Sequence, residues 1–127
     1  MILCPRNIRN TRRRGQTMAK KLPKKVQEIL AEAKGQLSTL YAQRLKGMIL
    51  FGSYARGDYA KGSDIDLLML LDGLDDPGAE RERYFAAICD LSLKYDTVVS
   101  VIPIDYKTYH SRKTPLILNV RKEGVRI

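Results

Sequence analysis

The sequence predicts an α/β domain of the α+β kind, a small mixed β-sheet with helices packed on it. Three observations carry that expectation. Apolar residues recur at three- and four-residue steps over residues 22–45 and again over 77–94, the signature of helices with one buried face. Three short apolar or β-branched runs, at 48–51, 64–71 and 97–102, read as strands. The length of 127 residues suits a single core.

In chain order, Pro23 opens the first helix, and Val26, Ile29, Leu30, Ala33, Leu37, Leu40, Tyr41 and Leu45 form its apolar stripe, with Gly47 as its stop. Met48-Ile49-Leu50-Phe51 then reads as a strand buried on both faces, followed by a glycine-rich stretch from Gly52 to Gly62. The second strand runs from Asp64 to Leu71 and closes on the turn chemistry of Asp72-Gly73. Asp76-Pro77 pairs a capping carboxylate with a proline at the first helical position, and Tyr84, Phe85, Ile88 and Leu91 give the second helix its stripe. Thr97 to Ile102 is the third strand, ended by Pro103. Asp105 caps a short helical turn through Tyr109, and Thr114-Pro115 starts a terminal helix that Gly124 stops. The resulting order is α-β-β-α-β-α, without internal repeats.

Composition narrows the class of protein. Hydrophobic residues at 44% and charged residues at 29% are ordinary globular usage, which excludes a disordered polymer, a collagen-like chain and a long coiled coil. The longest apolar run, residues 67–71, falls far short of the roughly 20 residues of a membrane span. Cys4 and Cys89 make no disulfide framework, and the single histidine, His110, supports no zinc cluster. A reducing cytoplasm is the expected setting. The net charge of +9 is uneven: residues 1–17 hold Arg6, Arg9, Arg12, Arg13 and Arg14 and no acid. Residues 1–17 are thus expected to be a basic tail, either solvated or an extension upstream of a start at Met18, with residues 18–127 as the folded domain. A basic arm of this kind binds phosphates without reading sequence, and nucleic acid is not expected as a partner. Lys20, Lys21, Lys24 and Lys25 read as a solvated helix start or as a cluster that steers an anion.

The chemistry concentrates in Phe51-Gly52-Ser53-Tyr54-Ala55-Arg56-Gly57 and Ser63-Asp64-Ile65-Asp66-Leu67. Asp64 and Asp66 lie two apart on a predicted strand, so both carboxylates share a face. Neighbouring anions repel, and a divalent cation relieves that conflict; carboxylate-only ligation favours magnesium or manganese. The plainer reading makes one aspartate a cap and leaves the other to water. A strand feeding Gly52-Ser53 into a helical turn presents free amides and a hydroxyl where a phosphate is favoured. Arg56, one turn further, either pairs with a phosphate or braces the loop against a carboxylate, and Gly57 suits a left-handed exit.

Together, the Gly-Ser, the following Arg-Gly and the strand bearing Asp-x-Asp about ten residues later resemble the signature of the DNA polymerase beta-like nucleotidyltransferase superfamily. The wording Gly-Ser-Tyr-Ala-Arg-Gly and Ser-Asp-Ile-Asp-Leu is similar to the minimal nucleotidyltransferases, many of which are antitoxins paired with a HEPN-type ribonuclease toxin. The motif covers residues 51–67, and the element order from residue 22 onward follows the same fold. The resemblance implies that Gly52 and Ser53, with Arg56 beside them, hold the triphosphate of ATP or another NTP, and that Asp64 and Asp66 hold two Mg²⁺ ions. It further implies a third carboxylate on the neighbouring strand. Asp96 is the candidate for that catalytic and metal-binding position if strand register sets it beside Asp64; if Ser100 stands opposite the pair instead, the ligand is missing. A strand-entry turn is the plainer role for Asp96, and helix capping that of Asp105. The implied activity is Mg²⁺-dependent transfer of a nucleoside monophosphate, AMP from ATP, onto a hydroxyl of a protein partner. The alternative is a decayed antitoxin that neutralises its toxin by binding alone.

Overall fold

The computed structural model describes residues 22–127, so the expected tail at 1–17, Cys4, Met18, Lys20 and Lys21 lie outside the described residues. Helix α1 (Lys24–Tyr41) leads through a 3₁₀ turn (Ala42–Arg44) into β1 (Leu45–Phe51). A four-residue helix α2 (Ser53–Arg56), β2 (Ile65–Leu71), α3 (Pro77–Tyr95) and β3 (Val99–Asp105) follow. Helices α4 (Tyr106–Ser111) and α5 (Pro115–Glu123) and a short β4 (Val125–Arg126) complete the chain. The sheet order is β3-β2-β1-β4, with β1 antiparallel to β2 and β4, and β2 parallel to β3. The crossover through α3 is what allows that parallel pairing.

Strand β2 explains why the sheet has two covered faces. Leu67, Leu68, Met69, Leu70 and Leu71 are all fully buried, and alternate side chains of a strand point to opposite faces. Ile65, Leu67, Met69 and Leu71 join Met48, Leu50 and Val99 beneath the stripes of α1 and α3. Leu68 and Leu70 join Ile49 beneath Tyr109 of α4 and Ile117 and Val120 of α5. Burying one such leucine contributes about 1.5–3 kcal/mol. Of the predicted α3 stripe, Tyr84, Ile88 and Leu91 are buried, whereas Phe85 remains 49% exposed with Arg81 over its ring.

Several expected boundaries move, each for a local reason. The first helix ends at Tyr41, where Ala42 adopts φ 49°, so Leu45 and Gly47 belong to β1 instead of to the helix. Gly47 is not a helix stop: it lies beside a register shift, and a Cβ there would meet Arg126 Nη2 at 2.5 Å. The third strand continues through Pro103 to Asp105, because β3 is an edge strand on which a missing amide donor is tolerated. Its start is also later than expected, at Val99. The strand β4 was not expected; Gly124 permits it by bringing backbone against Ile49 and Val120, where a Cβ would clash at 2.5 and 2.4 Å. The caps stand as read: Asp76 accepts from the Gly78 and Ala79 amides, Asp105 from Thr108, and Thr114 from Ile117.

At the end of the sheet marked by Leu45 and Leu71, Glu80 is buried with its charge intact. Arg44 Nη2 reaches Glu80 Oε1 at 2.7 Å, Arg83 Nε faces Oε2 at 3.3 Å, and the Tyr41 hydroxyl donates to the Glu80 carbonyl at 3.4 Å. Burial pushes the Glu80 carboxyl up, but the Arg44 and Tyr41 hydrogen bonds and the two guanidinium charges outweigh it and hold it below the ordinary glutamate range. A lowered carboxylate stabilises the fold above its unfolded pKa and ceases to do so as pH falls through its folded value. Arg44→Ala should therefore destabilise the protein by about 2–3 kcal/mol at neutral pH, more than Glu80→Gln, because it leaves the buried anion with Arg83 alone. Denaturant titrations at pH 7 and pH 3.5 check this, and the penalty of Arg44→Ala should shrink at the lower pH.

Candidate active site

The glycine turn forms as its sequence demands. Gly52 leaves β1 at φ 81°, a conformation that favours glycine, and the Ala55 and Arg56 amides donate back to its carbonyl at 3.1 and 3.0 Å. That leaves the leading amides of α2 without partners inside the helix. Gly57 closes the turn in the left-handed conformation, φ 93°. Tyr54 anchors the turn in the core and stacks on Tyr59, ring centroids 4.5 Å apart, which holds the following loop against it.

The second half of the motif folds onto the first. Asp66 lies in β2 between Phe51 of β1 and Ser100 of β3. Its Oδ2 sits so close to Gly52 that a Cβ on that glycine would be 2.3 Å away. No other residue type fits Gly52, for reasons of both φ and space. Asp64 stands exposed just before β2 starts at Ile65. Partial burial first, and the charge of Asp64 second, push the Asp66 carboxyl above the ordinary aspartate range, while Arg56 pulls the other way. Asp66 is thus a half-buried carboxylate with a second carboxylate two residues away, a situation that a hard cation relieves.

Of the two readings of Arg56, the structure displays the brace. Its Nε meets Asp58 Oδ2 at 3.1 Å and its Nη1 meets Glu123 Oε1 at 3.6 Å, tying the turn to the end of α5. Glu123 is a site neighbour that sequence reasoning missed, since nothing local at residue 123 signals a partner at residue 56.

Asp96 is a helix-end residue, not the expected strand residue. It does not open β3; it follows α3 with φ 51° and ψ 47°, its amide donating to Leu93 and that of Thr97 to Ser92, a Schellman-type ending that aspartate tolerates. The residue that register sets beside Asp66 is Ser100. Among the described residues there is no group of three or more His, Cys, Asp or Glu side chains that could hold a metal ion. Asp105 is the expected cap: the Thr108 amide first, then that of Gly73, holds its carboxyl below the ordinary range. His110 is exposed near the end of α4, edge-on to Tyr106 and Tyr109. No helix among the described residues is long and apolar enough to cross a membrane.

The chain is similar to several known proteins. Two Methanocaldococcus jannaschii proteins described as putative protein adenylyltransferases are each 40% identical to the chain. One match spans 100 residues, 79% of this chain and 96% of the relative; the other spans 77 residues, 60% and 70%. Among solved structures, a toxin-antitoxin crystallised with AMP-PNP superposes with a TM-score of 0.53 at 26% identity, over 74% of this chain and 68% of that one. The profile of the nucleotidyltransferase domain matches residues 30–123, which takes in the glycine turn, both aspartates and every strand but β4. With a match over most of its length, the chain belongs to the nucleotidyltransferase family of enzymes.

Proposed function

We propose that this protein is a cytoplasmic, metal-dependent nucleotidyltransferase that moves AMP from ATP onto a hydroxyl of a protein partner, as the antitoxin of a pair whose toxin is of the HEPN type. The observation that carries the reading is the convergence of the Asp66 carboxylate on the Gly52 turn, which sets a phosphate-accepting backbone against a cation-seeking side chain. The protein acceptor is supported by the adenylyltransferase relatives, and the toxin-antitoxin role by the neighbour crystallised with AMP-PNP.

In this reading the Gly52-Ser53 turn binds the triphosphate through its amides and the Ser53 hydroxyl and fixes the α-phosphorus near Asp66. Asp64 and Asp66 would hold Mg²⁺, which when bound neutralises the phosphate oxygens and polarises the α-phosphorus. Arg56, held by Asp58 and Glu123, keeps the turn in shape. The acceptor oxygen bonds to the α-phosphorus and releases its proton to water as the bond from the α-phosphorus to the α–β bridging oxygen breaks, and pyrophosphate leaves. Binding without transfer is the second reading, favoured by one observation, the serine beside Asp66.

Incubation with labelled ATP, Mg²⁺ and the partner toxin separates the two: label on the toxin supports transfer, and complex formation without label supports binding alone. Asp64→Asn and Asp66→Asn should each lower transfer at least about 100-fold, with circular dichroism unchanged. A second expectation concerns the metal-free protein. A carboxyl raised on folding favours the fold while protonated and loses that contribution as pH rises through its folded value. Asp66→Asn should accordingly have a higher Tm than the parent at pH 7.5 in chelator, with the two converging at pH 3.5. Addition of Mg²⁺ with a non-hydrolysable ATP analogue should raise the parent's Tm and leave the variant's unchanged.

A further inference from the structure

The register around Asp66 limits how many cations the site can take. In the row through Asp66 the neighbours are Phe51 on one side and Ser100 on the other. Parallel pairing sets Asp66 and Ser100 on the same sheet face, and β3 is the sheet edge, so no further strand lies beyond Ser100. Moving along β3 by the two-residue repeat, the same face carries Val98 just before the strand and Ile102 within it, neither of them a ligand. Asp96 is held in the left-handed ending of α3. The nearby acids Asp58 and Glu123 are both engaged by Arg56.

A pair of ions about 3.5–4 Å apart needs carboxylates enough to bridge them and to hold the outer one. A single octahedral ion needs less, since two carboxylates together with phosphate oxygens and water satisfy it. We infer that this chain holds one divalent cation with its nucleotide, not the two that its motif implies, and that Ser100 is the residue that decides the number. The inference rests on the nucleotidyltransferase reading and narrows it: the acceptor hydroxyl is not deprotonated by help from a second ion bound to this chain's carboxylates.

The test counts ions on the full chain. The protein is equilibrated with Mn²⁺ and α,β-methylene-ATP, whose α–β bridge cannot be cleaved, and the bound fraction is separated by ultrafiltration and assayed for manganese and nucleotide. The parent should retain one Mn²⁺ per bound nucleotide, Ser100→Ala should also retain one, and Ser100→Asp should retain two, a twofold rise. Because Ser100 is exposed on an edge strand, the substitution meets no packed core. Two Mn²⁺ per nucleotide on the parent would overturn the inference and leave the family activity standing. A count of one on a folded Ser100→Asp variant would overturn the role given to Ser100. Retention of neither nucleotide nor manganese by the parent would overturn the nucleotidyltransferase reading itself, and this inference with it. Should Ser100→Asp fail to fold, the parent's own count still decides.

Discussion

Asp66 is a half-buried carboxylate with another carboxylate two residues upstream and glycine backbone close against one of its oxygens. A fold does not keep such an arrangement for stability, since any neutral residue of similar shape would relieve both the desolvation and the repulsion. Much of the surrounding structure is what holds it in place. The positive φ of Gly52, the anchoring of Tyr54, and the clamp of Arg56 between Asp58 and Glu123 all keep the turn from retreating from Asp66. A cation bridging carboxylate and phosphate converts this unfavourable electrostatics into binding.

The sheet supplies the stiffness for that. Strand β2 is sealed on both faces from Leu67 to Leu71, and its register to β1 and β3 is therefore pinned, because a slip of one residue would turn every leucine to the wrong layer. Helices α4 and α5 cover Leu68 and Leu70 but stop short of Asp66, the next residue on that face. The site is the uncovered margin of a covered layer. At the opposite margin the Glu80 cluster ties α3 to the turn before β1, so a buried ion pair fixes one end of the sheet and the Asp64–Asp66 pair of acids occupies the other.

Much of this was legible in the sequence where the signal is local. Caps such as Asp76-Pro77 and Thr114-Pro115, the periodic stripes of α1 and α3, and the glycine turn followed by Asp-x-Asp all depend on residues within a few positions of one another. What escaped depends on pairing between distant segments. Whether Asp96 or Ser100 faces Asp66 turns on where α3 ends, and Asp96 carries the conformation usual for glycine at a helix end without being one. Gly47 reads as a helix stop because its true reason, the approach of Arg126, lies 79 positions away. Glu123 escaped on the same ground. Pro103 reads as a terminator because edge and interior strands look alike until the strand order is known.

The pairing of β1 with β4 also bears on how the protein is made. Ile49 and Leu50 lie opposite Arg126 and Val125, so the strand leading into the glycine turn finds its second neighbour only at the far end of the described sequence. During synthesis, α1, β1, β2, α3 and β3 can collapse on one face of the sheet while α4, α5 and β4 are still inside the ribosome. Through that interval one edge of β1 stays open and Ile49, Leu68 and Leu70 lack the helices that later cover them. The nascent chain thus passes through a stage with an unpaired strand and a bare apolar layer, and the same closing segment brings Glu123 to Arg56. Completion of the Gly52 turn therefore waits on this later segment.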